Sequence, residues 1–115
     1  MEYMILIYGD EKAWAAMNEQ QLKEAYAGYV TYTKDLTDAG VIRGGSELHP
    51  ISTASTVRVR GGKVTATDGP FAETKEQLGG YYIIEAANLD GAISWAAKCP
   101  GAKMGVCEVR PLKAM

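Results

Sequence analysis

Two segments of the chain, residues 3–8 and 81–85, carry apolar or aromatic side chains at nearly every position. Runs of this kind predict strands that are covered on both faces. Residues 56–60 and 63–67 mostly alternate between polar and apolar side chains, and the Gly61-Gly62 pair between them is typical of a tight hairpin turn. The pattern therefore predicts two fully buried strands and one hairpin with a solvated face.

A long helix is predicted over residues 19–39. Asn18 is suited to the N-cap position, and Gln21 three residues later completes a capping-box pattern. Gly40 suits the C-terminal end, where a left-handed residue is favoured. The residues of the predicted inward face recur at steps of three and four: Leu22, Ala25, Tyr26, Tyr29, Thr33 and Leu36.

A second helix is predicted over residues 89–98, with Asn88 as its N-cap and Pro100-Gly101 at its end. Its predicted inward residues are Ile93, Ala96 and Ala97.

Residues 41–48 and 104–110 complete the set of strands, and Gly44-Gly45 in the first of them predicts a bulge. The order of elements is then strand, helix, strand, hairpin, strand, helix, strand. Such an order predicts the α+β class, with a ferredoxin-like antiparallel sheet, two helices on one face and an inserted β-hairpin. We expect residues 1–115 to form a single domain.

Two helices can cover only one face of this sheet, although the strands at 3–8 and 81–85 are apolar on both faces. An uncovered second face would be larger than the apolar patches that monomers usually expose. We therefore expect a homodimer whose sheets face each other, which is a dimeric α+β barrel with a cavity between or beside the sheets.

Composition narrows the classes of function. Hydrophobic residues make up 47% of the chain and charged residues 23%, with a net charge of −2, which is typical of a soluble globular protein. The sequence contains no block of basic residues, so nothing in it indicates nucleic-acid binding. The first residues lack a basic leader, and their apolar run is too short for a bilayer, so we expect a cytoplasmic protein without membrane contact. Cys99 and Cys107 are expected to be reduced, and no residue pattern calls for a cofactor or a metal.

The segment between the hairpin and the second buried strand is where we expect a site. Asp68-Gly69-Pro70-Phe71 is a turn sequence, and the charged residues after it lead through Gly79-Gly80 into the strand. Binding groups are often held on loops of this kind, next to a rigid scaffold. The residues expected to bind a small polar ligand, near this loop and the dimer cleft, are Gly69, Pro70, Phe71, Glu73, Lys75, Tyr26 and Tyr81.

Several of these residues also have a purely structural interpretation. Asp68 can act as a general acid or base, or accept hydrogen bonds from its own turn amides. His49 is the only histidine and has a suitable unperturbed pKa near 6.5 for a base, although a histidine before proline at a strand end is commonly a loop residue. Tyr26 and Tyr81 can line a pocket, or pack in the core and interface.

Nearly the whole chain resembles the DGPF-domain branch of the YCII-related family. The resemblance implies a small dimeric ferredoxin-like fold whose biochemical function is mostly unassigned. It also implies that some relatives act together with an extracytoplasmic-function sigma factor. The residues that carry it are Asp68-Gly69-Pro70-Phe71, residues 73–82, residues 95–102 and residues 108–111, together with Leu48, Pro50 and residues 56–58.

The chain departs from the wider family at one position of interest. The family's proposed dyad pairs a histidine on the first helix with an aspartate, and the first helix of this chain contains no histidine. A His49–Asp68 pair is the substitute we consider. The hypotheses are thus small-ligand binding, metal-independent acid-base catalysis by Asp68 with His49, and an accessory role with a sigma-factor-related partner.

Overall fold

The computed structural model describes residues 1–115 and contains six strands and four α-helices. In chain order the elements are β1 (Glu2–Gly9), α1 (Glu11–Ala15), α2 (Glu19–Asp38), β2 (Ile42–Glu47), a 3-10 turn (Ile51–Thr53), β3 (Ser55–Arg60), β4 (Lys63–Asp68), β5 (Gln77–Glu85), α3 (Leu89–Lys98), α4 (Pro100–Met104) and β6 (Val106–Pro111).

Four of the strands form one antiparallel sheet in the order β2-β5-β1-β6. The two strands that flank α2 therefore enclose β5, and the two that flank α3 enclose β1. This interleaving is the ferredoxin-like arrangement, so the predicted α+β fold is confirmed. No helix is both long and apolar enough to cross a membrane.

The inserted hairpin, β3 and β4, forms a separate two-stranded sheet. Gly61 and Gly62 have φ of 57° and 76°, the positive values that a tight type I′ turn requires. The pairing puts Val57, Val59 and Val64 on one face, and all three are exposed. The whole molecule is flat, with extents of 48 × 43 × 19 Å.

The core lies between the sheet and the helices. Tyr32 of α2 joins the two long helices, because its buried hydroxyl donates to the carbonyl of Trp95 on α3 at 2.7 Å. Its ring also meets Tyr82 of β5 edge-on at 5.3 Å. The buried apolar residues come from β1, α2, β5, α3 and the end of α3: Tyr3, Ile5, Tyr32, Leu36, Ile84, Ala92, Ala96 and Cys99.

The second half of the chain corrects two sequence predictions. Ala92 and Ala96 are the buried positions of α3, whereas the predicted inward residues Ile93, which is 48% exposed, and Ala97 both face outward. Pro100 does end α3, but it also begins α4, because a proline at the first helical position loses no intrahelical hydrogen bond. The last strand consequently starts at Val106 and not at 104.

No helix covers the second face of the sheet. The register places Met4 opposite Ile83, and Leu6 opposite Tyr81, on this face. Tyr8 lies there opposite Val106, which is 49% exposed. The second face is therefore apolar along β1 and the adjoining part of β5, whereas β6 adds Glu108 opposite Leu6 and Arg110 opposite Met4 beside Val106.

Asn18 caps α2 as the sequence predicts. Its side chain accepts from the backbone N–H of Gln21 at 2.8 Å, and the Gln21 side chain accepts from the Asn18 N–H at 2.9 Å. Replacing Asn18 with Ala removes one acceptor and should lower the free energy of unfolding by about 1 kcal/mol. Urea unfolding measures the change. Gln20→Ala, which loses only an exposed contact with Glu24, is the control and should stay within about 0.5 kcal/mol of wild type.

Candidate functional site

A cleft of about 700 Å³ lies between α1, α2 and the adjoining ends of β2 and β5. A volume of this size is typical of small-molecule sites. Its polar and aromatic lining residues are Glu11, Trp14, Tyr26, Tyr29, Thr33, Ser46, Glu47, Tyr81 and Tyr82.

The floor of the cleft depends on close approach of two backbones. A Cβ atom on Gly45 would lie 2.8 Å from the carbonyl oxygen of Tyr81, and the φ of Gly45 is 157°. On β5, a Cβ on Gly80, which pairs with Glu47, would lie 3.0 Å from the carbonyl oxygen of Ser46. The register of β2 shifts between Ile42 and Gly44, where the sequence predicts a bulge. Glycine at these positions keeps the floor free of side chains.

Glu11 fixes one wall of the cleft by joining three segments. Its backbone N–H donates to the side-chain oxygen of Gln77 at 2.9 Å. Its carboxylate accepts from the backbone N–H of Ile51 at 3.0 Å. The short helix α1, capped by Asp10 at the amide of Lys12, is thereby held against β5 and the turn after β2.

Tyr26 and Glu47 meet across the opening between α2 and β2. The Tyr26 hydroxyl donates to the Glu47 carboxylate at 3.0 Å, and this bond, with partial burial and the carboxylate charge, raises the pKa of Tyr26. The ring of Tyr26 packs at 5.8 Å from that of Trp14, tilted by 55°. The two rings thus form an aromatic corner with the Glu47 carboxylate at its edge.

Below this corner, burial raises the pKa of both Tyr29 and Tyr82. The hydroxyl of Tyr82 shares a hydrogen bond of 2.7 Å with Thr33. Tyr29 also lines a second, smaller cavity of about 50 Å³ together with Trp14. Both tyrosine rings line the cleft, and the hydroxyl of Tyr29 lies beside Gly101 of α4.

Two free thiols lie beneath Tyr29. Cys99 is fully buried and Cys107 is partly buried. A hydrogen bond from Cys107, with further ones from the amides of Gly101 and Ala102 and from Tyr29, lowers the pKa of Cys99 to about 7 against the opposing effect of burial. The same interaction, with burial, raises the pKa of Cys107. Neither thiol lines the large cleft.

The structure divides the residues that the sequence singled out. Tyr26 and Tyr81 line the cleft, whereas the loop residues and the two candidate catalytic residues do not. The members of this second set are His49, Asp68, Gly69, Pro70, Phe71, Glu73 and Lys75.

Asp68 is exposed at the end of β4, opposite Ser55, and its carboxylate makes no hydrogen bond. The turn after it is held by backbone groups instead, since Gly69 donates to the carbonyl of Ala54 at 2.7 Å and accepts from Thr56 at 2.8 Å. His49 is also exposed and makes no hydrogen bond. The catalytic role of Asp68 with His49 stays a prediction.

Sequence reasoning missed several residues of the cleft. The sequence does not place Glu11, Trp14 or Glu47 in a site. Gly44-Gly45 was the available signal, because a predicted bulge marks a place where a backbone or a ligand can approach closely.

Comparison with known proteins identifies the family. The family model of the YCII-related domain matches residues 1–115, and the chain belongs to that family. An uncharacterised protein of Rhizobium meliloti strain 1021 is 36% identical over 114 residues, which span 97% of this chain and 92% of the relative. Membership of the narrower DGPF branch, and the sigma-factor partner that it implies, stay predictions.

A solved structure confirms the fold. It is that of 5-chloro-2-hydroxyhydroquinone dehydrochlorinase from Burkholderia phenoliruptrix AC1100, in complex with 2,5-dihydroxybenzoquinone. The TM-score is 0.54 at 20% identity, and the similarity covers 98% of this chain and 94% of the other.

The buried hydroxyl of Tyr29 predicts a loss of stability in alkali. Burial raises its pKa in the folded state, so its contribution is complete below the unfolded value of about 10 and is lost as pH rises toward the folded value. Urea unfolding between pH 8 and 11 should therefore show a falling free energy of unfolding. The free energy of unfolding of Tyr29→Phe should decline less steeply over this interval than that of the wild type. Equal declines in the two proteins would contradict the assignment.

Proposed function

We propose that this protein binds a small molecule with a polar group in the cleft between α1, α2, β2 and β5. One observation carries the proposal: a cleft of about 700 Å³ whose walls are aromatic and whose floor is bare backbone. Pockets that are mainly apolar, with a few convergent polar groups, are the usual form of a small-molecule site. Tyr81 and Tyr26 belong to this site, as the sequence suggested.

The polar groups of the cleft are suited to orienting a ligand. The hydroxyls of Thr33 and Tyr82 are bonded to each other, and either oxygen can accept a further bond from a ligand. Glu47 offers carboxylate oxygens at the rim beside Tyr26. These polar groups and the aromatic rings line the same cleft. A ligand with an apolar body and one polar end can therefore pack against the rings and hydrogen-bond to the polar groups.

Binding is favoured over acid-base catalysis by Asp68 and His49. A general base must lie within hydrogen-bond reach of the proton it removes. Neither side chain lines the cleft. The loop of residues 69–75, which is also outside the cleft of its own chain, remains a proposed binding segment at the dimer cleft.

The chain is proposed to act as a homodimer joined through the second face of its sheet. Met4, Leu6, Tyr8 and Ile83 form an apolar strip on this face, with the paired Glu108 and Arg110 of β6 beside it, and no element of the same chain packs on it. A two-fold pairing of two such faces removes the apolar surface from water and requires no other partner.

The binding site is tested by filling the cleft from its rim. Ala15 lines the cleft, whereas Ala16 is exposed and lies outside it. We expect at least one of three probes, benzyltrimethylammonium, benzyl alcohol or benzoate, to shift the amide signals of Gly45, Gly79 and Gly80 in ¹⁵N-correlation spectra. Ala15→Trp should abolish the shifts, and Ala16→Trp should leave them. Absence of any shift with all three probes in the wild type would refute the proposed site.

The dimer is tested by placing a charge on the second face. Leu6→Glu should sediment as a monomer, because a second carboxylate opposite Glu108, buried between two sheets, is unfavourable. Val30→Glu, a change at a residue of α2 that is 70% exposed, should remain dimeric. Val106→Glu changes a partly exposed position of the same face, and it tests the interface in case Leu6→Glu fails to fold. A wild-type protein that sediments as a monomer would contradict the proposal.

A further inference from the structure

The cleft carries two negative charges and no positive one. Glu11 and Glu47 line it, and no lysine, arginine or histidine does. We propose that the cleft selects an organic cation, a molecule with an ammonium group on an apolar or aromatic body. This inference rests on the proposed function, to which it adds the charge and shape of the ligand.

Neither carboxylate is neutralised within the chain. The three ion pairs of the structure join Met1 to Glu85, Lys34 to Asp38, and Arg110 to Glu108, all outside the cleft. Each carboxylate that lines the cleft therefore retains its charge for a ligand.

Both carboxylates also retain hydrogen-bonding capacity. Glu47 accepts one bond, from the Tyr26 hydroxyl at 3.0 Å, and Glu11 accepts one, from the amide of Ile51 at 3.0 Å. An ionised carboxylate can accept about four. The existing bonds thus hold the side chains in place and leave free oxygen lone pairs for an ammonium group.

The basic residues adjacent to the lining in sequence do not supply the missing charge. Arg43 precedes Gly44 of the cleft, but its guanidinium donates to the carbonyls of Gly40 and Ile42, at 2.9 and 3.1 Å. Lys12 follows Glu11 and is exposed outside the cleft, and His49 follows Leu48 without lining it. Lys23 and Lys34, which follow Leu22 and Thr33, are exposed and also do not line the cleft, and Lys34 pairs with Asp38. The only charged residues of the lining are therefore Glu11 and Glu47.

The aromatic wall favours the same ligand. The face of a tryptophan or tyrosine ring attracts an ammonium group within about 6 Å of its centre. Trp14 and Tyr26, with ring centres 5.8 Å apart and tilted by 55°, form a corner next to the Glu47 carboxylate. A carboxylate or phosphate ligand would instead meet two like charges with no compensating partner. Ring and carboxylate together therefore select for positive charge.

The test compares three probes that share one ring: benzyltrimethylammonium, benzyl alcohol and benzoate, titrated at pH 7 and low salt against ¹⁵N-labelled protein. We expect the cation to bind at least tenfold more tightly than the alcohol, and benzoate to bind more weakly than either. Glu47→Gln should weaken the cation about tenfold and leave the alcohol unchanged, because the amide oxygen still accepts from Tyr26. Glu19→Gln, at an exposed residue of α2 outside the cleft, is the matched control and should bind as wild type.

The outcomes separate the two levels of inference. Alcohol or benzoate binding as tightly as the cation would overturn selection for a cation, while small-molecule binding stands. An unchanged cation affinity in Glu47→Gln would overturn the role of that carboxylate in selection. No shift with any probe would overturn the binding site itself, and the charge selection with it.

Discussion

The close pairing of β5 with β2 is the interaction on which the cleft depends. The carbonyl of Tyr81 lies where a side chain on Gly45 would be, and the carbonyl of Ser46 approaches Gly80 in the same way. Above these glycines the cleft is bounded by α1, α2 and side chains of β2 and β5. A substitution at Gly45 would force the strands apart and alter the cleft before it affected the core, which lies further along β5 around Ile84.

Helix α2 serves two purposes with a single stripe of residues. Near its C-terminal end Tyr32 and Leu36 are buried against the sheet and α3, whereas nearer its N-terminal end Tyr26 and Tyr29 face the cleft. The same periodic face therefore packs in the core at one end of the helix and lines the cleft at the other. Binding groups are thereby held on a rigid element that the core anchors.

Local patterns predicted the fold well, and the site only in part. The capping box at Asn18 and the hairpin turn follow from residues close in sequence, the interleaved strand order follows from the order of elements along the chain, and all are confirmed. The spacing of three and four residues along α2 identified Tyr26, but such a spacing does not distinguish a tyrosine in the core from one that lines a cleft. Glu11 and Glu47 belong to segments that only the folded sheet brings together, and neither has a distinctive local pattern. The Asp68 turn, in contrast, has a strong local pattern because a turn is a local structure.

Alternation along β5 has a consequence for how binding and assembly relate. Tyr82 points to the helices, whereas Tyr81 lies opposite Leu6 on the second face and also lines the cleft. In a dimer of the proposed kind one residue thus belongs to both surfaces, and the two equilibria become thermodynamically linked. A ligand that prefers the paired form would strengthen subunit association, and association would raise its affinity by the same factor. Apparent affinity would then depend on protein concentration, and dilution alone would release the ligand.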